Sequence, residues 1–291
     1  MSSVTSTPAP PALSRRLQAV LHRRPALRLT GLLTPALAWL VLLYIAPLAL
    51  LLATAFFSTN SFTGRIEYEF SIDNVVDVLT TPEYLLTALR TVGVAAGVTL
   101  LCALLALPLA AYMALVARPR SRPVLVALVL TPLWASYLVK VYAWRVLLVP
   151  EGGLLGSLSP GYGWIAVIVT LTYLWLPYMV LPVYAGISSM RGSFLEATAD
   201  LGARPWTSFR TVMLPLLAPS IAAGSVFTFS LSLGDYITVQ IVGGTHQMLG
   251  NMVYSTFSVD LPFAAAVAIL PLIVMAAYLL TIRRTGALSR L

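Results

Sequence analysis

Six stretches of the chain, at about 33–57, 86–115, 123–149, 163–187, 216–237 and 262–282, are long apolar runs with few ionisable groups. A helix needs about 20 predominantly apolar residues to cross the hydrocarbon core of a bilayer. Each run meets that length, so the expected fold is an all-α polytopic membrane protein with six crossings. Composition agrees. Only 10% of the 291 residues are charged and 59% are hydrophobic, against roughly 25% charged in ordinary soluble domains.

The connecting loops give the orientation. Arg15, Arg16, Arg23, Arg24 and Arg28 precede the first run, and Arg118, Arg120 and Arg122 separate the second from the third. Arg191, Arg204 and Arg210 lie between the fourth and fifth, and Arg283, Arg284 and Arg290 follow the sixth. Fourteen of the eighteen basic residues therefore fall on one side, which the positive-inside rule identifies as the cytoplasm. Glu67, Glu69, Asp73, Asp77, Glu83, Glu151 and Asp260 fall in the opposite loops. Both termini are expected inside.

Residues 1–11 are Ser, Thr, Pro and Ala without a period and are expected to be disordered. Leu13, Leu17, Val20 and Leu21 then recur at helical spacing beside arginines, a pattern suited to a short basic helix lying on an anionic leaflet. Residues 1–30 thus read as a tail plus interfacial helix, and 31–291 as the membrane domain, with a cytoplasmic loop at 188–215. The external segment at 58–85 alternates aliphatic and acidic residues, which predicts a short amphipathic element on the outer face.

Several chemistries are excluded. The single cysteine, Cys102, sits in an apolar run, which leaves no intrachain disulfide and no cysteine-based metal site. The two histidines are far apart and form no ligand set, and His246 reads as solvated in an external turn. The one lysine, Lys140, is followed by Val141, whereas a phosphate-binding loop needs Gly-Lys followed by Ser or Thr. Any ATP-driven step must take place in a partner.

Ionisable groups at membrane depth are costly and usually face a partner, a cavity or a pathway. Lys140 and Arg145 occur in the third run among Trp134, Tyr137, Tyr142 and Trp144. Two readings stand for them: interfacial snorkelling within an aromatic belt, or a cavity-lining role for Lys140. Asp235, followed by Tyr236, closes the fifth run in SLGDYITVQIVGG. Its carboxylate can attract a cationic solute, pair with a base across a subunit interface to close an outer gate, or simply be solvated at a helix end. Tyr173, Trp175 and Tyr178 accompany Pro177 and Pro182 in the fourth run. They pack there, or line a path along a kinked helix. Asp235, Tyr236, Lys140, Trp144, Tyr173 and Trp175 are the candidates for a substrate path.

The long mixed-charge loop between two apolar runs, 193–215, reads SFLEATADLGARPWTSFRTVMLP. Ser193 and Glu196 have capping-box spacing. Leu195 to Leu201 continue a helix, Gly202 is placed to end it in the left-handed conformation, and Pro205 to begin a second. Trp206, Phe209 and Val212/Met213 then recur at helical spacing and are expected to seat this second helix against the membrane body. Leu214-Pro215 leads into the fifth run.

Glu196-Ala197, Gly202 six residues after Glu196, Val212 ten after that glycine, and Leu214-Pro215 resemble the EAA loop of binding-protein-dependent ABC importer permeases. Thr198 stands where the pattern usually has a second alanine. The resemblance covers roughly 33–282 and implies the type I importer permease fold in a prokaryotic cytoplasmic membrane. It implies that Glu196, Ala197, Thr198, Asp200, Leu201, Gly202 and Ala203 form a coupling helix that docks into the cytoplasmic ATPase. The permease itself would be non-catalytic and without a cofactor, ATP and Mg residing in the ATPase. Its partners would be a second permease, two ATPase subunits and an extracytoplasmic solute-binding protein. TPLWASYLVKVYAWRVLL, TYLWLPYMVLPVYAGI and LGDYITVQIVGG are similar to the spermidine/putrescine subgroup, to its first permease more than its second. Permeases for ferric ion, thiamine, aminophosphonates and opines share much of that pattern. An ion-coupled secondary transporter is the rival class, but it needs intramembrane binding groups near the midplane, and no acidic cluster occurs in these spans. A membrane scaffold without transport is the third reading.

Overall fold

A computed structural model describes residues 25–60, 63–150, 155–190 and 204–284. The basic segment 13–24, Glu151 and the coupling residues 196–203 lie outside the described residues, as does Ser193. The chain divides at Ala53/Thr54 into two units.

The described part of the first unit is one helical run. Helix α1 (Pro25–Leu40) passes through a π-helical turn at Val41–Ile45 into α2 (Ala46–Thr54). The turn has a local cause. Pro47 has no N–H for the carbonyl four residues back, and Ala46 N–H reaches five residues back to Val41 instead. The apolar part, Leu33–Thr54, has 22 residues and is therefore about 33 Å long at 1.5 Å per residue. That is enough to cross.

The second unit begins with a two-stranded antiparallel hairpin, β1 (Ser58–Thr59) and β2 (Ile66–Glu67), pairing Ser58 with Glu67. The amphipathic external element is α3 (Asp73–Thr80). The Ser71 hydroxyl accepts from the Asp73 N–H and donates to its carboxylate, and Val78 is buried where the helix packs on α4 and α12. Helix α4 (Pro82–Ala111), begun by Pro82 at its first turn, continues through a π turn at Tyr112–Val116. Then come α5 (Arg122–Trp134), α6 (Tyr137–Leu147), a 3₁₀ turn at Gly156–Leu158 and α7 (Trp164–Ser189). The short α8 (Pro205–Ser208) runs through a π turn, Phe209–Met213, into α9 (Leu214–Leu233). Helices α10 (Ile237–Val242), α11 (Leu249–Phe257) and α12 (Leu261–Arg284) complete the described chain.

Five helical runs of the described residues are long and apolar enough to cross a membrane, and the bent pair α5 and α6 brings the number to six when counted as one broken span. Helices α4, α7 and α9 form the core of the second unit. Helix α7 lies at its centre, half of its most apolar window being buried. Val98, Cys102 and Ala106 of α4 meet Leu171, Leu174 and Val180 of α7 there, and the Cys102 thiol donates to Thr172 O at 3.6 Å. Two close approaches set the α7–α9 crossing. A β-carbon on Gly186 would lie 2.8 Å from Ser220 Cβ, and one on Gly224 would lie 3.1 Å from Met179 Cα. Small residues at such contacts let helix backbones approach closely in a membrane.

Two sequence expectations are corrected. The third run, expected as one helix over 123–149, is broken, with α5 and α6 bent by 91°. Ala135 and Ser136 are both extended, with ψ of 143° and 137°. Pro132 withdraws one N–H from the last turns of α5. Trp206, expected to seat α8 on the membrane body, is 70% exposed and stacks on Phe209 at 5.5 Å, while Met213 is the buried anchor of that stripe. Phe209 packs half-buried against the core, so the seat is made by Phe209 and Met213 and leaves Trp206 outside it. Pro215 repeats the chemistry of Pro47: Leu214 N–H bonds back five residues to Phe209 O.

Candidate functional site

The break in the third crossing and the end of α9 meet at one place. Gly234 ends α9, and Asp235 precedes α10. Asp235 Oδ1 accepts the Thr238 backbone N–H at 2.8 Å, satisfying a first-turn donor of α10. Its Oδ2 accepts the Tyr137 hydroxyl, from the first residue of α6, and the Thr238 hydroxyl at 3.2 Å. Tyr137 Oη and Thr238 Oγ1 are 2.7 Å apart. Three side chains thus tie α6 to α10 through one carboxylate, which is 7% exposed. The solvated-acid reading of Asp235 is set aside by that burial. Among the described residues, hydrogen bonds rather than a basic partner hold the carboxylate.

A cavity of about 210 Å³ opens beside the carboxylate, lined by Tyr137, Trp175, Leu231, Gly234, Asp235 and Tyr236. Trp175 stacks on Tyr137 with centroids 6.0 Å apart and 17° between planes. Tyr178 follows at 6.0 Å, and Phe227 lies 6.3 Å beyond it, so an aromatic ladder runs from α6 through α7 to α9. Tyr236 stacks on Tyr254 at 4.7 Å. Its backbone carbonyl accepts from Asn251 Nδ2 at 2.9 Å, which ties the far wall to α11. The Trp175 indole N–H is buried without a hydrogen-bond partner.

Of the six candidate path residues, Asp235, Tyr236 and Trp175 share this cavity, and Lys140, Trp144 and Tyr173 do not line it. Lys140 and Trp144 lie three and seven residues after Tyr137, on the same face of α6. Trp144 meets Tyr173 at 5.5 Å, so the second aromatic pair sits farther along the same two helices. Lys140 is 9% exposed. Arg145 instead lies in the exposed last turn of α6, its guanidinium 5.9 Å from the Tyr162 ring centroid. His246 keeps an exposed edge, as a solvated histidine would, but its ring stacks on Trp164 at 4.6 Å.

Tyr137 was missed as a site residue. It is 98 positions from Asp235, and its only sequence signal is that it follows Ala135-Ser136 just after a proline. Chemically the cavity offers a buried carboxylate and three aromatic residues. Aromatic faces and carboxylates both attract organic ammonium groups. Among the described residues no cluster of His, Cys, Asp and Glu is able to hold a metal ion.

Comparison with known proteins agrees with this architecture. The chain is 36% identical over 312 aligned positions to the inner membrane ABC transporter permease protein YdcU of Escherichia coli (strain K12), covering 99% of both chains. It is 31% identical to the spermidine/putrescine transport system permease protein PotB of Haemophilus influenzae, over 86% of this chain and 91% of that one. A solved bacterial ABC transporter involved in the import of the acidic polysaccharide alginate superposes with a TM-score of 0.66 at 17% identity, covering 93% of this chain and 98% of that one. This likeness is one of fold. Residues 25–285 match the family described as binding-protein-dependent transport system inner membrane component, and the chain belongs to that family: it is a non-catalytic, multi-pass permease subunit of an ABC importer.

Proposed function

We propose that this permease passes a polyamine, or a similar small organic cation, through a path whose outer end is the Asp235 cavity. The observation that carries the reading is a buried carboxylate set among the Tyr137, Trp175 and Tyr236 rings. An ammonium group entering the cavity exchanges its hydration for the carboxylate and the ring faces, and extra amines along a flexible chain add hydrogen bonds without requiring a second fixed anion. The spermidine/putrescine permeases among its relatives support the same class of solute.

The assembly proposed for it follows the family. A solute-binding protein delivers the cation at the outer face, a second permease completes the path, and two ATPase subunits bind ATP and Mg beneath the coupling residues Glu196, Ala197, Thr198, Asp200, Leu201, Gly202 and Ala203. The Asp235 bonds to Tyr137 and Thr238 add a second element to the reading. The carboxylate that meets the cation also ties α6 to α10, so arrival of an ammonium competes with the tie and loosens that corner.

The test is uptake of radiolabelled putrescine and spermidine by proteoliposomes containing the whole complex. D235N is expected to lower uptake by at least tenfold while leaving assembly intact, because it removes the charge and keeps the shape. Y137F, which keeps the charge and breaks the tie, is expected to raise ATP hydrolysis in the absence of solute. Transport of neither amine by the unaltered complex refutes the solute class. Unchanged uptake in D235N refutes the site.

A further inference from the structure

Lys140 is the one lysine of the chain, and the Asp235 corner does not use it. The residue is 9% exposed. Its stem belongs to the side of α6 on which Tyr137, Val141 and Trp144 pack into the core. Val139 beside it and Ala143 one turn on are exposed, so Lys140 stands at the edge of the packed face. Among the described residues its ammonium has no hydrogen-bond acceptor and no ion-pair partner. Nor is it enclosed in the way that the unpartnered Thr170 Oγ1, Trp175 Nε1 and Ser232 Oγ are. The long apolar stem is buried and carries the charge to the surface of this chain.

Depth makes that charge costly. Helix α5 starts at Arg122, among the cytoplasmic arginines, and its 13 residues rise about 20 Å. With α5 upright, the bend therefore lies about two thirds of the way across a hydrocarbon core of about 30 Å. The chain turns there by 91°, so α6 runs across the bilayer at that level instead of leaving it, and Lys140 lies in its first turn. A charged group at such depth needs a partner or a wet cavity. Lipid tails offer no acceptor. Asp235 already accepts the Tyr137 hydroxyl, the Thr238 hydroxyl and the Thr238 N–H, and the other described acids belong to the outer loops and the outer end of α4. A wet path without an anion would leave the lysine to repel the ammonium solute proposed for the Asp235 cavity.

We infer that a carboxylate of the second permease pairs with Lys140 at membrane depth. Of the other subunits of the assembly, only that one shares the bilayer with this chain. The pair neutralises the lysine and leaves Asp235 as the net charge that a cation meets, a consequence that rests on the proposed cation reading. It also gives the bent crossing a second anchor. Tyr137, at the first position of α6, is held by Asp235 at the start of α10, and Lys140, one turn later, is held by the other subunit. A shift of one permease against the other is thereby felt at the Tyr137–Asp235 bond.

The experiment treats the whole purified complex with dicyclohexylcarbodiimide, which enters apolar regions and joins an amine to a carboxylate in direct contact through an amide. Linked peptides are read by mass spectrometry, and a single lysine in the chain makes its peptide unmistakable. The expected product joins Lys140 to an Asp or Glu of the second permease. K140R keeps the charge but forms no amide, so it loses the link and keeps the second permease bound. K140M leaves the partner's carboxylate unpaired and weakens association of the two permeases by at least about tenfold. Changing the identified carboxylate to its amide in the same complex recovers most of that loss. A link from Lys140 to Asp235, Glu151 or another acid of this chain, or to any other subunit, overturns the inference. So does the absence of a Lys140 link when other lysine–carboxylate pairs of the complex are joined, or unchanged association in K140M. Amine uptake enters none of these readouts, so failure of the pair and failure of the cation reading are told apart.

Discussion

Gly186→Ala probes the contact that sets how closely α7 and α9 pack. The added β-carbon would sit 2.2 Å from Ser220 Oγ, 2.8 Å from Ser220 Cβ and 3.2 Å from Leu217 Cδ2. Rotating the Ser220 hydroxyl relieves the first contact. It cannot relieve the second, because Ser220 Cβ is fixed by its own backbone. Carbon atoms are comfortable at about 3.5–4.0 Å, so the helices must part by roughly 0.7 Å or more. Over-packing of this kind costs about 1–3 kcal/mol. Alanine offsets part of that, about 0.5–1 kcal/mol, through its higher helix propensity. The net loss is about 1–2 kcal/mol, which for a chain of this size lowers the melting midpoint by about 2–8 °C. Ser220→Gly deletes both clashing atoms, so the double variant recovers most of what Gly186→Ala loses. The two changes then couple by about 1–2 kcal/mol, within the range for residues in contact. Thermal denaturation of the detergent-purified complex, followed by tryptophan fluorescence at one scan rate, reads all four corners of the cycle. An unchanged midpoint in Gly186→Ala, or a double variant no better than that single one, refutes the close-packed crossing.

Three further outcomes follow from local contacts. Asp260 Oδ1 accepts both the Phe263 N–H at 3.0 Å, at the start of α12, and the Thr59 hydroxyl at 2.8 Å from the hairpin. Asp260→Ala should therefore cost about 1 kcal/mol as a lost cap and speed proteolysis of the hairpin. Thr59→Val should do only the second. Tyr137→Phe removes one hydrogen bond to a buried carboxylate, worth about 1.5–3 kcal/mol; hydrogen–deuterium exchange should quicken in α6 and α10 and stay unchanged in α4. Gly202→Val, at the expected left-handed end of the coupling helix, should abolish uptake while the complex still hydrolyses ATP, measured side by side in proteoliposomes.

The parts of this molecule that sequence revealed are those decided within one segment. A run such as Leu33–Thr54 crosses because of its own length, and an arginine faces the cytoplasm because of its own charge, so crossings and orientation needed no knowledge of neighbours. The broken third crossing is a different kind of feature. Pro132 looks in sequence like Pro108, Pro177, Pro182 and Pro219, all of which sit inside helices that continue. What separates it is Tyr137, whose hydroxyl is held by a carboxylate 98 residues away. The bend is stabilised from outside the segment, so no local pattern announces it. Asp235 is a related case: flanked by Gly234 and Tyr236, it left three readings open in sequence, and the burial that removes the solvated one is supplied by α6. Ser220 and Gly224 are an intermediate case. Their spacing of four small residues was visible in SIAAG, but nothing in the sequence said that Gly186 and Met179 would face them. The same reasoning locates what sequence alone can still say about the coupling residues at 196–203. The capping-box spacing and glycine stop expected there are patterns within one segment, so as readings they belong with the crossings, whereas the burial of Asp235 is a property of the packed bundle.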